Sequence, residues 1–386
     1  MVNCRWEIHK CVLHFKTKDM EYKAFRDLKL SRLGFGNMRL PEEGGRIDRV
    51  KAKEMIDLAM AGGVNYYDTA WVYHGGDSET FLGEALKDYA RDSFYVATKF
   101  NISADPDYRK VFARQLEKLK TDYIDFYLIH CIMDNNIHPY VDDGAVDYFL
   151  EQQRQGRVRY LGFSCHSSVE SLRWFADHHQ WDFAQLQLNY YDWLYSATPE
   201  EYHILEERNI PIMVMEPVRG GKLAKLTPEA EAILREAHPE WSIPSWGFRF
   251  VRNLPMVQTI LSGMSTLEQV EDNLKTFADN SLFTETDRNQ LFRACEIFHK
   301  QIRIPCTACR YCCDDCPMQI NIPEFLRVYN QYKVDGDWGI KEKFAAVSSE
   351  GTPADCVACG ACMDHCPQNI QIPDLMGEMS EKFFGE

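Results

Sequence analysis

The feature that most limits how this chain can fold is a regular alternation of short apolar runs and helix-length amphipathic stretches from about residue 33 to residue 300. The apolar runs are almost continuously hydrophobic, which is typical of strands buried on both faces of a parallel sheet. Eight strands separated by helices in about 270 residues favour a (β/α)8 barrel. The predicted strands are Leu33–Met38, Val64–Asp68, Tyr95–Lys99, Ile124–His130, Tyr160–Ser164, Phe183–Leu188, Ile212–Glu216 and Val257–Leu261.

The main alternative is a doubly wound dinucleotide-binding fold. That fold places a G-x-G-x-x-G fingerprint between its first strand and first helix. Here Gly34 and Gly36 are followed by no third glycine at the required position, so the barrel is favoured. The predicted helices between the strands include Val50–Ala61, Glu79–Ala90, Pro106–Leu119 and Val146–Gln155.

Cysteine dominates the end of the chain, where nine of the fourteen cysteines lie between Cys306 and Cys366. Two runs repeat the spacing C-x2-C-x2-C-x3-C-P, which ligates [4Fe–4S] clusters in two-cluster ferredoxins, with the fourth cysteine of each run reaching the other cluster. Cys313 is left as an unligated thiol. The predicted ligands are Cys306, Cys309, Cys312 and Cys366 for one cluster, and Cys356, Cys359, Cys362 and Cys316 for the other.

Two zinc sites are the alternative for these cysteines. Tetrathiolate zinc is usually bound by two C-x2-C pairs, so two complete copies of the longer spacing favour iron–sulfur clusters. The stretch Pro323–Val347 between the runs is typical of helix. The predicted fold class is α/β: a (β/α)8 TIM barrel at residues 20–300, followed by a small α-helical ferredoxin-like domain at residues 301–386. Residues 1–19 are expected to be a disordered extension.

Charge and targeting features limit the partners and the location. The net charge of −15 disfavours nucleic acid as a partner. The longest apolar runs are far shorter than the ~20 residues that span a bilayer, so no membrane partner is expected. The first 19 residues lack the apolar core of a signal peptide. The chain is therefore predicted to be cytoplasmic, with reduced thiols available to bind metal.

Three polar residues lie at the carboxyl ends of successive predicted strands: Asp68, Lys99 and His130, at equal intervals of 31 positions. One βα unit takes about 30 residues, so these side chains should meet on the rim that carries the active site of barrel enzymes. Tyr73 follows Asp68 in the same loop. Taken singly, each has a structural interpretation, such as a strand-end lysine that reaches solvent. Together they predict a catalytic group.

The chemistry of this group is proton transfer to a carbonyl oxygen. A tyrosine with a pKa of about 10 is a weak acid, and a neighbouring ammonium lowers that pKa. Asp68 would hold Lys99 charged, and His130 would orient the substrate oxygen. Tyr73 would then protonate a carbonyl oxygen as hydride arrives at its carbon, or do the reverse.

The motifs Asp68-Thr-Ala-Trp-Val-Tyr73, Val96-Ala-Thr-Lys99 and Tyr127-Leu-Ile-His130 match the Asp, Tyr, Lys and His tetrad of the aldo-keto reductase family. The opening Leu33-Gly-Phe-Gly-Asn-Met-Arg-Leu-Pro41 also matches, so residues 20–300 resemble that family. With the cysteine runs, the whole chain resembles its iron–sulfur-bearing branch. The resemblance implies an oxidoreductase that uses NADP or NAD on a small carbonyl or alcohol substrate.

The resemblance also implies the residues that bind the nicotinamide cofactor. Ser164 and Gln185 match the positions that hold the carboxamide, and Met215 stands where a stacking aromatic often lies. Cys165 stands where many members have Asn. Members that prefer a 2′-phosphate place Lys and Arg where this chain has Gly263 and Gln269, so NAD is as strongly expected as NADP. The full predicted set is Gly36, Asn37, Ser164, Gln185, Met215, Gly220, Gly221, Gly263, Ser265, Thr266, Gln269 and Asn273.

Three functions remain open at this point, because a barrel of this kind moves two electrons together whereas clusters move one each. In the first, the chain is a carbonyl reductase or alcohol dehydrogenase whose ferredoxin-like domain docks a redox partner protein or shapes the site. In the second, it is an electron-transfer module whose barrel docks a redox partner or a flavin, without hydride transfer from nicotinamide. In the third, the clusters sense oxygen or iron, and the intact tetrad disfavours this.

Overall fold

The computed structural model describes residues 20–304, 306, 308, 310–336, 339–366 and 370–385. The predicted disordered extension at residues 1–19 and the predicted cluster ligand Cys309 lie outside the described residues. The chain divides into two compact units: residues up to Val218 with Arg235–Phe292, and Arg219–Leu234 with the residues from Arg293 onward. The predicted domain limits of 20–300 and 301–386 stay a prediction.

Eight parallel strands close into a barrel in the first unit, and their order around the barrel is their order along the chain. All eight predicted strands take part, which confirms the predicted barrel. The described strands are β1 (Tyr22–Phe25), β2 (Leu28–Ser31), β3 (Leu33–Gly36), β4 (Glu42–Glu43), β5 (Arg46–Ile47), β6 (Tyr66–Asp68), β7 (Tyr95–Phe100), β8 (Ile124–Ile132), β9 (Val158–Cys165), β10 (Phe183–Gln187), β11 (Ile212–Met215) and β12 (Val257–Ser262).

Helices follow the barrel strands and fill the C-terminal unit. Several begin at a side chain that accepts a backbone N–H in the first turn; for example, Asp107 accepts from Lys110 at 3.0 Å, which satisfies a donor the helix leaves unpaired. The described α-helices are α1 (Arg49–Ala61), α2 (Ser78–Ala85), α3 (Tyr108–Leu119), α4 (Ile137–Asp142), α5 (Ala145–Arg154), α6 (Val169–His178), α7 (Tyr190–Tyr195), α8 (Thr198–Glu207), α9 (Pro228–Ala237), α10 (Ile243–Arg252), α11 (Leu267–Ala278), α12 (Glu285–Ile302), α13 (Tyr311–Asp314), α14 (Ile322–Asp335), α15 (Ile340–Ala345), α16 (Ala361–Asp364) and α17 (Ile372–Met379).

The predicted helix Glu79–Ala90 is too long, because α2 ends at Ala85. The Leu86 N–H closes the last turn on the Leu82 carbonyl, and the Tyr89 N–H then turns back to the Leu86 carbonyl at 3.0 Å. The Tyr89 hydroxyl donates to the Asp57 carboxylate at 2.6 Å, which holds this turn against α1. A tertiary contact therefore ends the helix where its apolar periodicity would have continued.

A β-hairpin made of β1 and β2 supplies apolar side chains to the barrel interior. Phe25, Leu28 and Leu30 are buried in one cluster with barrel residues such as Phe126 and Tyr160. The Phe25 ring meets Tyr160 edge-on at 5.0 Å, a favourable aromatic geometry. The hairpin therefore fills the barrel interior, as side chains do in barrels of this size.

The C-terminal unit is helical, as predicted. The stretch predicted to be helical contains α14 and α15. The pattern Ile-x-Ile-Pro occurs at Ile320 and again at Ile370, and each copy starts a helix with proline in the first turn, where its missing N–H costs nothing. A buried apolar core joins α14, α15 and α17. No helix in the described ranges is long and apolar enough to span a bilayer.

Candidate functional site

The carboxyl ends of three adjacent strands bring Asp68, Lys99 and His130 to one rim of the barrel. Strand β7 lies between β6 and β8, so Lys99 is central. The Lys99 ammonium donates to Asp68 Oδ1 at 2.5 Å and to the Thr69 carbonyl at 2.7 Å. The Lys99 side chain has no exposed surface. The equal intervals in the sequence therefore correspond to side chains that lie close together on one rim.

Tyr73 reaches this cluster from the loop after β6. Its hydroxyl lies 3.5 Å from Lys99 Nζ, and its ring stands 6.0 Å from the His130 ring in an edge-on arrangement. His74 and Gly76, which follow it, have positive φ angles of 51° and 89°. A positive φ is unfavourable for a residue with a side chain, and such conformations are concentrated at functional sites.

Burial and pairing set the charges of Asp68 and Lys99. Burial raises the pKa of Asp68, although the ammonium of Lys99 opposes this shift. Burial by itself would lower the pKa of Lys99, but the Asp68 carboxylate and the Tyr73 hydroxyl hold it above its usual value. Lys99 therefore keeps its positive charge inside the protein.

The acidity of Tyr73 corrects part of the sequence-based reasoning. Burial raises the pKa of Tyr73, and this effect exceeds the lowering by Lys99. The expectation of a more acidic phenol considered the ammonium alone and left out the loss of solvent around the ring. The phenol therefore favours its protonated form, and Lys99 is the group that offsets part of the effect of burial.

His130 is a neutral imidazole. Burial lowers its pKa well below the usual value, and the charges of Lys99 and His166 act in the same direction. No described residue forms a hydrogen bond with the buried Nδ1 of His130. The Tyr140 hydroxyl donates to the His130 carbonyl at 2.6 Å and so supports the end of β8. A neutral imidazole can donate one hydrogen bond to a substrate oxygen without carrying a charge.

Ser164 and Gln185 are direct neighbours on β9 and β10. The Ser164 hydroxyl oxygen accepts the Cys131 N–H at 2.7 Å. The buried Gln185 Oε1 has no partner among the described residues, so it offers an acceptor for an amide N–H. Cys165 is buried, and its thiol contacts the Ser167 hydroxyl at 3.2 Å. These contacts fit the expected carboxamide position at Ser164 and Gln185.

Asn37 lies beside the predicted catalytic residues. Its Nδ2 donates to the Asp68 carbonyl at 2.8 Å, while its own carbonyl accepts the Ser78 hydroxyl at 3.2 Å. Gly36 precedes it at the end of β3 and pairs with Asp68 in the sheet. Met215 ends β11 and is partly exposed. Asn37 therefore contacts the backbone of a predicted catalytic residue.

The loop from Gly263 to Asn273 is organised by its own hydrogen bonds. Ser265 donates to the Arg39 carbonyl at 2.7 Å and its N–H bonds Gln269 Oε1 at 2.7 Å. Thr266 caps α11 by accepting the Gln269 N–H, and Asn273 donates to the Ser262 hydroxyl at 2.8 Å. A side chain at Gly263 would approach Arg39 to 3.1 Å.

Gly220 and Gly221 belong to the other compact unit. Both have positive φ angles, 60° and 93°, which glycine adopts without steric cost. They lie within or beside the short helical turn Arg219–Gly221 that follows β11 in sequence. Their conformation fits either of the expected roles, close approach to a phosphate or a tight turn.

Four cysteines of the two runs line one apolar cavity in the C-terminal unit. They are Cys316, Cys356, Cys359 and Cys362, the set predicted for one cluster. Burial raises the pKa of Cys362 to about 11, and the thiols of Cys356, Cys359 and Cys316 contribute to this. The fourth cysteine of the first run therefore lies close to the second run.

Cys306, Cys312 and Cys313 of the first run form a second group. Burial raises the pKa of Cys312 to about 12, with added contributions from Cys313 and Cys306. The short helices α13 and α16 pack against each other, and His365 bonds Asp315 at 2.8 Å. Within the described ranges, no three candidate ligands converge on a single ion.

Comparison with protein families gives two matches. The profile described as Aldo/keto reductase family matches residues 32–291, more than half of the chain. The profile described as 4Fe-4S dicluster domain matches residues 305–370. The uncharacterized oxidoreductase YqkF of Bacillus subtilis (strain 168) is 27% identical over 285 residues, covering 64% of this chain and 88% of that protein.

A further relative and a solved structure also match this chain. The NADH-specific methylglyoxal reductase of Escherichia coli (strain K12) is 24% identical over 299 residues, covering 64% of this chain and 90% of that protein. The holo form of the aldo-keto reductase AKR11C1 from Bacillus halodurans is 24% identical with a TM-score of 0.59, covering 71% of this chain and 96% of that one, which shows a shared fold. This chain therefore belongs to the aldo/keto reductase family, as an oxidoreductase with a 4Fe-4S dicluster domain in its C-terminal region.

Proposed function

We propose that this oxidoreductase reduces an aldehyde or ketone with NADH or NADPH, or oxidises the corresponding alcohol, and that Tyr73 exchanges the proton. The observation that carries the proposal is the buried Lys99 ammonium, 2.5 Å from Asp68 and 3.5 Å from the Tyr73 hydroxyl. A buried charge is retained only where it is paired, and here the pair lies beside a phenol that keeps its proton.

The proton step follows from these contacts. Tyr73 is protonated, so it can donate to a carbonyl oxygen as negative charge develops there. Lys99 then stabilises the phenolate that is left, because its buried ammonium lies 3.5 Å from that oxygen. His130 donates a second hydrogen bond to the same oxygen and holds the carbonyl towards Tyr73. In alcohol oxidation the same groups act in reverse.

The cofactor would bind along the rim beside this group. A bound nicotinamide would supply or accept the hydride. We assign the carboxamide to Ser164 and Gln185, because the buried acceptor of Gln185 is unpaired among the described residues. We assign the adenosine end to the segment that begins at Gly263 and contains Gln269. The preference for NAD or NADP is measured in the screen described below, which compares NADH with NADPH.

We further propose that the C-terminal unit holds two [4Fe–4S] clusters. Cys356, Cys359, Cys362 and Cys316 would ligate one of them, and the shared cavity of these four thiols supports this set. Cys306, Cys309, Cys312 and Cys366 would ligate the other, with Cys313 unligated. The clusters would carry single electrons, so a redox partner protein is their expected route of exchange. Anaerobically purified protein should contain about eight irons per chain.

The reductase activity is tested by screening carbonyl compounds with NADH and with NADPH. Oxidation of the cofactor is measured from the loss of its absorbance. We expect the variant Tyr73→Phe to lose about 100- to 10,000-fold in kcat, the usual contribution of a general acid. Tyr148→Phe is the matched control, because Tyr148 packs against aromatic rings at the helix surface. Equal activity of Tyr73→Phe and Tyr148→Phe would refute the proposal. Cluster reduction without any nicotinamide oxidation would instead favour an electron-transfer module.

A further inference from the structure

The loop that carries Tyr73 is held at its far end by a second lysine. Lys118 extends from α3, and its ammonium donates to the Gly76 carbonyl at 2.9 Å. The same ammonium lies 4.0 Å from the centre of the Trp71 ring, in cation–π contact. Lys118 thus touches the loop on both sides of Tyr73.

Lys118 is itself fixed by a buried carboxylate. Its ammonium lies 3.2 Å from Glu79 Oε2, and the Glu79 side chain has no exposed surface. Glu79 Oε1 accepts from the Thr98 hydroxyl at 2.6 Å and from Gln115 Nε2 at 2.7 Å. A buried carboxylate with this many donors keeps a defined position, and so it fixes the lysine.

The same hydrogen bonds reach the strand that carries Lys99. Gln115 Nε2 also donates to the Lys99 carbonyl at 3.0 Å, and Gln115 Oε1 accepts the Tyr127 hydroxyl at 2.7 Å. Thr98, which binds Glu79, is the residue before Lys99. One buried network therefore contacts both the backbone of Lys99 and the loop of Tyr73.

Close packing of α2 against α3 fixes the position of this network. A Cβ placed on Gly83 of α2 would lie 2.2 Å from the Lys118 carbonyl, so α2 and α3 touch through their backbones. A Cβ on Gly76 would lie 3.5 Å from Lys118 Nζ, which shows how closely the ammonium approaches the loop. The distance between Lys118 and the loop is therefore set by the fold.

We infer that Lys118, anchored by Glu79, is a positioning residue for the reaction: it holds the loop from Trp71 to Gly76 so that the Tyr73 hydroxyl stays beside Lys99. This inference rests on the proposed function. Lys118 acts through the loop and touches no reacting atom. Because misplacement of a reacting group by about 1 Å can cost about 100-fold in rate, loss of Lys118 should lower kcat by about 10- to 100-fold.

The test uses the full-length, cluster-loaded enzyme. Lys118→Met removes the ammonium, and the double variant Lys118→Met with Glu79→Gln removes it without leaving a buried carboxylate unpaired, in case the single variant does not fold. Lys118→Arg keeps a cation that can reach both partners and should restore kcat to within about threefold. Lys110→Met is the control, since Lys110 lies on the same helix with an exposed ion pair to Asp105.

The discriminating measurement is a double-mutant cycle with Tyr73→Phe. If Lys118 acts by positioning Tyr73, its loss lowers kcat in the wild-type background, leaves KM and cofactor Kd nearly unchanged, and has at most about a twofold effect in the Tyr73→Phe background. An equal fold-loss in both backgrounds, or failure of arginine to restore kcat, would overturn the inference. Failure of the proposed function would give a different result, because Tyr73→Phe alone would then leave the activity intact.

Discussion

The neutral state of His130 can be tested through the pH dependence of stability. Burial, aided by Lys99 and His166, lowers its pKa well below the usual value. In the unfolded chain an imidazole titrates at about 6.5. Below that pH the unfolded chain binds a proton that the folded chain refuses, so the free energy of unfolding falls as the pH falls.

The size of this effect follows from proton linkage. For a group that stays neutral in the folded state, lowering the pH from about 7.5 to about 5.0 removes about 2 kcal/mol from the free energy of unfolding. The variant His130→Gln lacks the titrating group and should lose about 2 kcal/mol less than the wild type over the same interval. Urea unfolding at the two pH values, followed by tryptophan fluorescence, measures the difference.

Other buried histidines do not affect this comparison. Burial also lowers the pKa of His166 and of His179, but both residues are present in both proteins, so their contributions cancel. An equal loss of stability in wild type and His130→Gln would mean that folded His130 binds its proton at the usual pH. In that case the description of His130 as a neutral hydrogen-bond donor is wrong.

Two further predictions concern packing and the cysteines. Gly83→Ala should destabilise the barrel by about 1–3 kcal/mol, because the new methyl meets the backbone of α3 at 2.2 Å; Gly377→Ala, where no atom lies within 4 Å, is the control, and thermal unfolding compares them. Cys316→Ser should lower the iron content of anaerobically purified protein by about half, whereas Cys313→Ser should leave it unchanged; equal iron in the two variants would exclude the crossed ligand sets.

The sequence predicted the barrel well because its strands are buried on both faces. Runs such as Ile124–His130 are apolar at nearly every position, and the observed strand β8 differs from it by two residues at one end. The hairpin of β1 and β2 was not predicted. Its strands have four residues each with exposed and buried positions mixed, so they carry no clear periodicity, and tertiary contact with the barrel interior explains them.

The closeness of Asp68, Lys99 and His130 was predictable, because equal spacing along a repeating βα unit places side chains on one rim. The hydrogen-bond network around these side chains could not be predicted. Glu79, Gln115 and Lys118 come from two different helices, and nothing in their spacing indicates that they meet. The signal that could have found Glu79 is an acidic residue within an otherwise apolar helix face, next to a loop already chosen as functional. The acidity of Tyr73 also needed the structure, because burial is absent from a sequence pattern.

Burial determines which side chains on this rim carry a charge. Of the four groups, it makes His130 neutral and keeps Tyr73 protonated, so that Asp68 and Lys99 carry the charge. Burial raises the pKa of the Tyr73 phenol, whereas the ammonium of Lys99, 3.5 Å from the hydroxyl, lowers it. Under the proposed function, Tyr73 would keep its proton until negative charge grows on a nearby substrate oxygen, and Lys99 would then stabilise the phenolate that is left on Tyr73. Proton transfer would then coincide with charge development, and it would depend on the buried pair of Lys99 and Asp68.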